Sequence, residues 1–319
     1  MKILFAPTII CPALTDDDRA RIRQAAGPGA VLVEVKDPEQ QRKEIADADM
    51  LLGRVSPETF LHAKRLRYYH SIGAGVDAIL TQELVESEVI LASEKGEVGI
   101  HLAEHAFALL LALTRGLHTA LRTPDYKLRE SIRRDQWELF DLTMGIVGFG
   151  GTGRAVAKRA LGFGMHVLAV DVEDVPPESG VTIWKTDRMN DLLGGSDVVV
   201  IALPLTKATH HLFTRDLFRR MRRTAILINV TRGGIVYGED LLAALDEGLI
   251  GAAGLDVTDP EPLPAGHTLW THPRAIVTPH TAGGSPRRAG RAIATFCQNL
   301  ERMKAGQPLL ALIDKRKGY

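Results

Sequence analysis

Three polar residues of complementary chemistry each stand just beyond a short apolar run. Arg232 follows AILINV in NVTRGG, Glu261 follows AAGLDV in DVTDPEP, and His280 follows AIVT in TPHTAGG. The carboxyl ends of strands are where an open α/β sheet places its chemistry. A guanidinium holds a carboxylate through two parallel hydrogen bonds. An imidazole oriented by a carboxylate passes a proton near neutral pH. Beside a hydride source, the set suits reduction of a 2-keto acid. Arg232 would clamp the carboxylate and polarise the carbonyl, His280 would protonate the new hydroxyl, and Glu261 would hold His280. Taken singly, each residue has a plainer reading, as a loop arginine, a helix-capping glutamate or a structural histidine. A second constellation is HLAEH, with His101 and His105 four apart and Glu104 beside them, the spacing of one class of zinc peptidases. Such a site needs a further ligand and an open coordination position, and no third ligand presents itself. No metal is expected, and the two histidines read as buried or hinge-facing groups with hydrogen-bond partners.

The hydride source is suggested by GIVGFGGTGRAVAKRALGFGMHVLAVD, residues 145–171. Gly148, Gly150 and Gly153 form G-x-G-x-x-G between a strand and a helix that Gly151 and Thr152 open, and the next strand ends at Asp171. An acidic residue roughly 20 positions beyond the glycines completes a dinucleotide fingerprint. Gly148 would permit the tight turn, Gly150 would let a pyrophosphate approach the backbone, and Gly153 would let helix and strand pack closely. The helix N-terminus offers N–H groups to the phosphates. Asp171 would take the adenosine ribose hydroxyls. Glu173 and Asp174 add acidity, and no Arg or Lys follows closely in sequence to neutralise a 2′-phosphate, so NAD is expected rather than NADP.

Two series of β-branched runs, each run followed by a helical pattern, must position these groups, as in a parallel α/β protein. KILFA, VLVEV, DMLLG, RYYHSI and VILAS form a first small doubly wound sheet. TMGIVGF, HVLAV, DVVVIAL, AILINV, AAGLDV and AIVT predict six strands of a dinucleotide-binding sheet. Between them EVGIHLAEHAFALLLALTRGL is apolar on nearly every face and reads as a buried helix. Its charged and imidazole side chains interrupt the apolar stretch too soon for a membrane span.

Composition narrows the partners. The chain has 319 residues, 45% hydrophobic, with 39 basic and 39 acidic side chains. Zero formal net charge argues against a nucleic-acid or anionic-membrane surface as the main partner. Cys11 and Cys297 are too few and too far apart for a disulfide framework, so a reducing cytoplasm is expected. The apolar start MKILFAPTIICPAL lacks a small-residue cleavage pattern and reads as a first strand rather than a signal peptide.

Taken together, SIGAGVD (71–77), LAEHAFALLLAL (102–113), GFGGTG with Asp171, ALPLTKAT (202–209), NVTRGG (229–234), DVTDPEPLP (256–264) and TPHTAG (278–283) resemble the NAD-dependent D-2-hydroxyacid dehydrogenase family over essentially the whole chain. The resemblance implies two doubly wound parallel-sheet domains. A flavodoxin-like substrate domain, residues 1–97 and 285–319, would carry an inserted Rossmann cofactor domain, residues 98–284. It implies that Arg232, Glu261 and His280 are the catalytic set. It further implies that Pro204 and Thr231 join the fingerprint at the cofactor, and that Ala74, Gly75 and Val76 form the loop holding the substrate carboxylate, with Arg54 a candidate for a second anionic group. HLAEH then falls on the interdomain helix, and a homodimer is expected. The loop SEKGEVG and the stretch RRDQWELFDLTMG depart from the family pattern. Two alternatives come from other functional classes: an NAD(H)-sensing corepressor with the same fold, and an NAD-dependent enzyme of a different reaction type, such as a hydrolase with the same cofactor domain.

Overall fold

The computed structural model describes residues 1–319 and divides into two compact units, Met1–Val98 with Gly284–Tyr319, and Gly99–Gly283. In the first unit β1 (Lys2–Ala6), β2 (Val31–Glu34), β3 (Met50–Gly53), β4 (Tyr68–Ser71) and β5 (Ile90–Ala92) form one parallel sheet in the order β2-β1-β3-β4-β5. This order is flavodoxin-like, with its switch point between β1 and β3. β1, β3 and β4 are almost wholly buried because helices cover both faces of a parallel sheet. The Arg288–Lys304 helix contributes Ile293, Phe296 and Leu300 to the core on one face. At its start Arg288 forks onto Glu94, with Nη2 2.6 Å from Oε2 and both groups buried. Burial pushes the Glu94 carboxyl above its ordinary range, although Arg288 pulls it down. Cys11 and Cys297 lie in the same core, where burial pushes each thiol up to about 11, far from thiolate chemistry.

The second unit contains a seven-stranded parallel sheet. β6 (Thr143–Val147), β7 (His166–Val170), β8 (Val181–Trp184), β9 (Val198–Ile201), β10 (Ile226–Asn229), β11 (Ala252–Leu255) and β12 (Ala275–Val277) run in the order β12-β11-β10-β9-β6-β7-β8. This is the Rossmann order with one further strand, and its switch point falls between β6 and β9. Six of the strands coincide with the apolar runs of the sequence. β8 was not among them. It is a half-exposed edge strand, VTIW, whose burial pattern carries no continuous apolar run, and it is held by pairing with β7. The Gly99–Thr114 helix buries nine of its residues, including Ala103, Ala106 and Leu110, against this sheet's core. No helix is long and apolar enough to cross a membrane.

Candidate active site

The fingerprint turn leaves β6 and enters the Gly151–Gly162 helix, which begins with Gly151 and Thr152. Gly148 has φ +94°, and a Cβ there would lie 2.8 Å from the Ala202 carbonyl oxygen. A Cβ on Gly153 would lie 2.2 Å from the Gly148 carbonyl oxygen. The protein's own packing therefore demands both glycines. At Gly150 no atom lies within 4 Å of where a Cβ would stand, and no side chain caps the helix. Asp171 stands at the end of β7 and accepts from Phe149 N at 2.6 Å and Glu173 N at 2.8 Å. Its carboxylate is thus fastened to the turn. Lys185, beyond β8, lies 2.7 Å from Asp174 and donates to the Val172 carbonyl at 3.1 Å. A basic group therefore contacts the residue next to Asp171, although the stretch following Asp171 in sequence lacks one. Only the pairing of β8 with β7 creates that proximity.

Arg232, Glu261 and His280 follow β10, β11 and β12, three adjacent strands of one parallel sheet. Their loops therefore leave the same sheet edge. His280 Nδ1 donates to Glu261 Oε1, an arrangement that leaves Nε2 chemically able to exchange a proton. The pair is accessible, with side-chain exposures of 49% and 39%. Arg232 donates from Nη1 to the Thr231 carbonyl at 2.8 Å. Its turn is shaped by fully buried Asn229, whose Nδ2 donates to the Arg232 carbonyl at 2.9 Å and whose Oδ1 accepts from Thr231 N at 3.1 Å. Pro204 follows β9, and its carbonyl accepts from Thr209 Oγ1 at 2.7 Å.

Asp256 is a site residue that motif reading passed over. It is 2% exposed, and its Oδ1 accepts from Thr278 Oγ1 at 2.5 Å and Thr281 N at 2.8 Å. Its Oδ2 accepts from Ala282 N at 2.8 Å, while its carbonyl accepts from His280 N. His105 Nε2 donates to Thr278 Oγ1 at 2.8 Å. His280 has φ +54°, a left-handed conformation that a non-glycine residue keeps only when its surroundings enforce it. Asp256 enforces it by tying down the residues on both sides. The only available signal was an acidic residue at the end of a buried strand, inside the DVTDPEP motif.

In the first unit, Arg54 follows β3 and is exposed. Ala74 and Gly75 are half-buried in the turn after β4, and Val76, 2% exposed, anchors that turn in the core.

The sequence profile of the "D-isomer specific 2-hydroxyacid dehydrogenase, NAD binding domain" matches residues 107–282, more than half of the chain. The chain belongs to that family. This dehydrogenase is similar to a glyoxylate reductase of Korarchaeum cryptofilum, 34% identical over 83% of this chain and 82% of the relative. It is 33% identical to a glyoxylate/hydroxypyruvate reductase A of Photorhabdus laumondii, over 78% and 80% of the two chains. Among solved structures, the NADPH-dependent glyoxylate/hydroxypyruvate reductase of Sinorhizobium meliloti, in complex with NADP and sulfate, superposes with a TM-score of 0.81 at 28% identity, over 100% of this chain and 99% of that one. A D-isomer specific 2-hydroxyacid dehydrogenase of Xanthobacter autotrophicus, in complex with NADPH and MES, gives 0.80 at 27%, with the same coverage. The dehydrogenase is therefore an NAD(P)-dependent hydroxyacid oxidoreductase.

Proposed function

We infer that this dehydrogenase interconverts a small 2-keto acid and the corresponding D-2-hydroxy acid, with NAD(H) as cofactor. The observation that carries the reading is the accessible His280–Glu261 pair beyond β12 and β11, with Arg232 beyond the adjoining β10, on the sheet that bears the dinucleotide fingerprint. Gly148, Gly150, Gly151, Thr152 and Gly153 would hold the pyrophosphate, with Pro204 and Thr231 beside it and Asp171 on the ribose. The open space at Gly150 supports this fit, because a ligand against the backbone gives that glycine a reason the protein alone lacks. The bound nicotinamide supplies or accepts a hydride. Arg232 clamps the substrate carboxylate and draws charge toward the carbonyl oxygen. His280 delivers a proton from Nε2 to that oxygen in reduction and removes it in oxidation, while Glu261 keeps the ring in the required tautomer. Ala74, Gly75 and Val76, with Arg54 as a second cation, would complete the carboxylate site.

The relatives named above point to glyoxylate or hydroxypyruvate as the size class. NAD over NADP rests on the Asp171 carboxylate, which would repel a 2′-phosphate. Lys185 opposes that preference by offsetting Asp174. The domain division proposed is a cofactor domain, residues 98–284, inserted into a substrate domain, residues 1–97 and 285–319. A cytoplasmic homodimer is proposed as well. The Leu117–Arg122 and Arg129–Arg134 helices bury none of their residues, and Leu121 and Tyr126 are 81% and 88% exposed. Such short helices gain little stability without a packed face. A panel of 2-keto acids assayed with NADH and NADPH tests the reading. Turnover of glyoxylate or hydroxypyruvate with NADH preferred supports it; no turnover of any 2-keto acid overturns it.

A further inference from the structure

The residues that carry Arg232 and Glu261 are joined by a side chain outside the catalytic set. Gly233 and Gly238 bring the segment 233–238 directly against residues 258–259. A Cβ on Gly233 would lie 1.8 Å from the Thr258 carbonyl oxygen, and one on Gly238 would lie 2.0 Å from that of Asp259. On the other side of 233–238 runs the segment 211–213, paired to it through the backbone. His211 N donates to the Gly234 carbonyl at 2.8 Å, Phe213 N to that of Ile235, and Tyr237 N to that of Phe213. His211 crosses this layer. Its backbone is fastened to the loop after Arg232, and its Nε2 donates to Asp259 Oδ2 at 2.6 Å, two residues before Glu261.

The ring is held in place. It lies 3.9 Å from the His210 ring and 4.9 Å from that of Tyr237, centroid to centroid. His211 adopts φ +50°, in the left-handed region where histidine is tolerated better than most residues. The side chains of His211 and Asp259 are 33% and 31% exposed, so the contact is sheltered but not dry. A surface ion pair of ordinary kind contributes little. This one is a short bond between two rigid groups, and it fixes the stem of the loop that presents Glu261.

We propose that His211 is a positioning residue of the reaction. Through Asp259 it holds the Glu261 loop in fixed relation to the Arg232 loop, and so sets the orientation of His280. The inference rests on the reading of Glu261 and His280 as the proton-transfer pair. The side-chain hydrogen bond of His211 goes to the Glu261 loop, whereas its backbone bond to Gly234 survives substitution. Loss of the side chain therefore falls on proton transfer and spares carboxylate binding.

The test is a double-mutant cycle on the full-length enzyme with glyoxylate and NADH as probes. His211→Ala is expected to lower kcat about tenfold, with KM for glyoxylate and the NADH dissociation constant held within about twofold. His211→Gln, which restores a donor near the Nε2 position, recovers most of that loss. In a Glu261→Gln background the same His211→Ala change costs less than about twofold, because the group through which it acts is already disabled. Asp259→Ala removes the acceptor and gives the same pattern should His211→Ala fail to fold. An equal loss in both backgrounds, a loss confined to KM, or a fall in melting temperature with kcat unchanged overturns the proposal. If Glu261→Gln by itself leaves kcat unchanged, the proton-transfer reading fails, and that single variant identifies which of the two ideas was wrong.

Discussion

Replacement of Asp256 by alanine removes a buried carboxylate from the base of the His280 loop, and its cost follows from what each lost bond leaves behind. Ala282 is 3% exposed, so its N–H, now bonded to Asp256 Oδ2 at 2.8 Å, finds no water in exchange. A buried donor left unpaired after losing a charged acceptor costs about 2–3 kcal/mol. Thr281 is exposed, so its N–H re-solvates and costs about 1 kcal/mol. Thr278 Oγ1 keeps His105 as a partner and loses only its acceptor, again about 1 kcal/mol. Relief of the desolvated charge returns part of this total, leaving about 3–4 kcal/mol. For a unit of this size the melting temperature falls by about 2–4 °C per kcal/mol, so a drop near 10 °C is expected. Turnover falls as well, since His280 loses what enforces its φ of +54°. Asp256→Asn keeps one acceptor but presents an amide N–H to a backbone N–H, and is expected to lie between alanine and the natural residue. Circular dichroism melting together with steady-state kinetics measures both effects. An Asp256→Ala enzyme that melts within about 2 °C of the parent and turns over normally would refute the reasoning.

Four further outcomes are expected. Arg232→Lys keeps the charge but loses the fork, and kcat/KM for a 2-keto acid falls about thirtyfold, equivalent to about 2 kcal/mol; near-normal kinetics would remove Arg232 from the site. His280→Ala lowers kcat by about two to four orders of magnitude while fluorescence titration gives an NADH dissociation constant within about twofold of the parent. Asp171→Ala erodes the ratio of NADH to NADPH efficiency by about tenfold or more, and an unchanged ratio places the discrimination elsewhere. His70 is wholly buried, Tyr68 Oη lies 2.9 Å from its Nδ1, and burial pushes its pKa down to about 4 from an ordinary 6.5. Below pH 6.5 the unfolded chain therefore binds a proton that the folded chain refuses. The stability is complete above pH 6.5 and is lost as the pH falls toward 4. Urea unfolding at pH 5 should show about 2 kcal/mol less stability than at pH 7 from this group, and His70→Gln should remove that part of the slope.

Much of the architecture was legible because parallel strands buried on both faces must be continuous apolar runs, and eleven of the twelve strands coincide with apolar runs, the half-exposed edge strand β2 among them. The fingerprint was legible for a related reason. Gly148 and Gly153 answer constraints that lie within one βαβ unit, so local spacing records them. The order of Arg232, Glu261 and His280 after successive strands also marks them, since strand ends are where side chains converge. What the chain order does not record is contact between segments that meet only in the folded sheet. β8 escaped notice because a half-exposed edge strand needs no apolar run, and with it went the approach of Lys185 to Asp174. Asp256 read as part of a strand-end motif, and its role in holding residues 278–282 appears only when β11 and β12 lie side by side. His211 and Asp259 are 48 residues apart and share no motif. Their bond exists because glycines at 233 and 238 let three segments stack closer than any side chain would allow. Hydrophobic periodicity and backbone sterics act along the chain and are written in it, whereas hydrogen bonds between distant loops depend on distances that only the packed sheet sets.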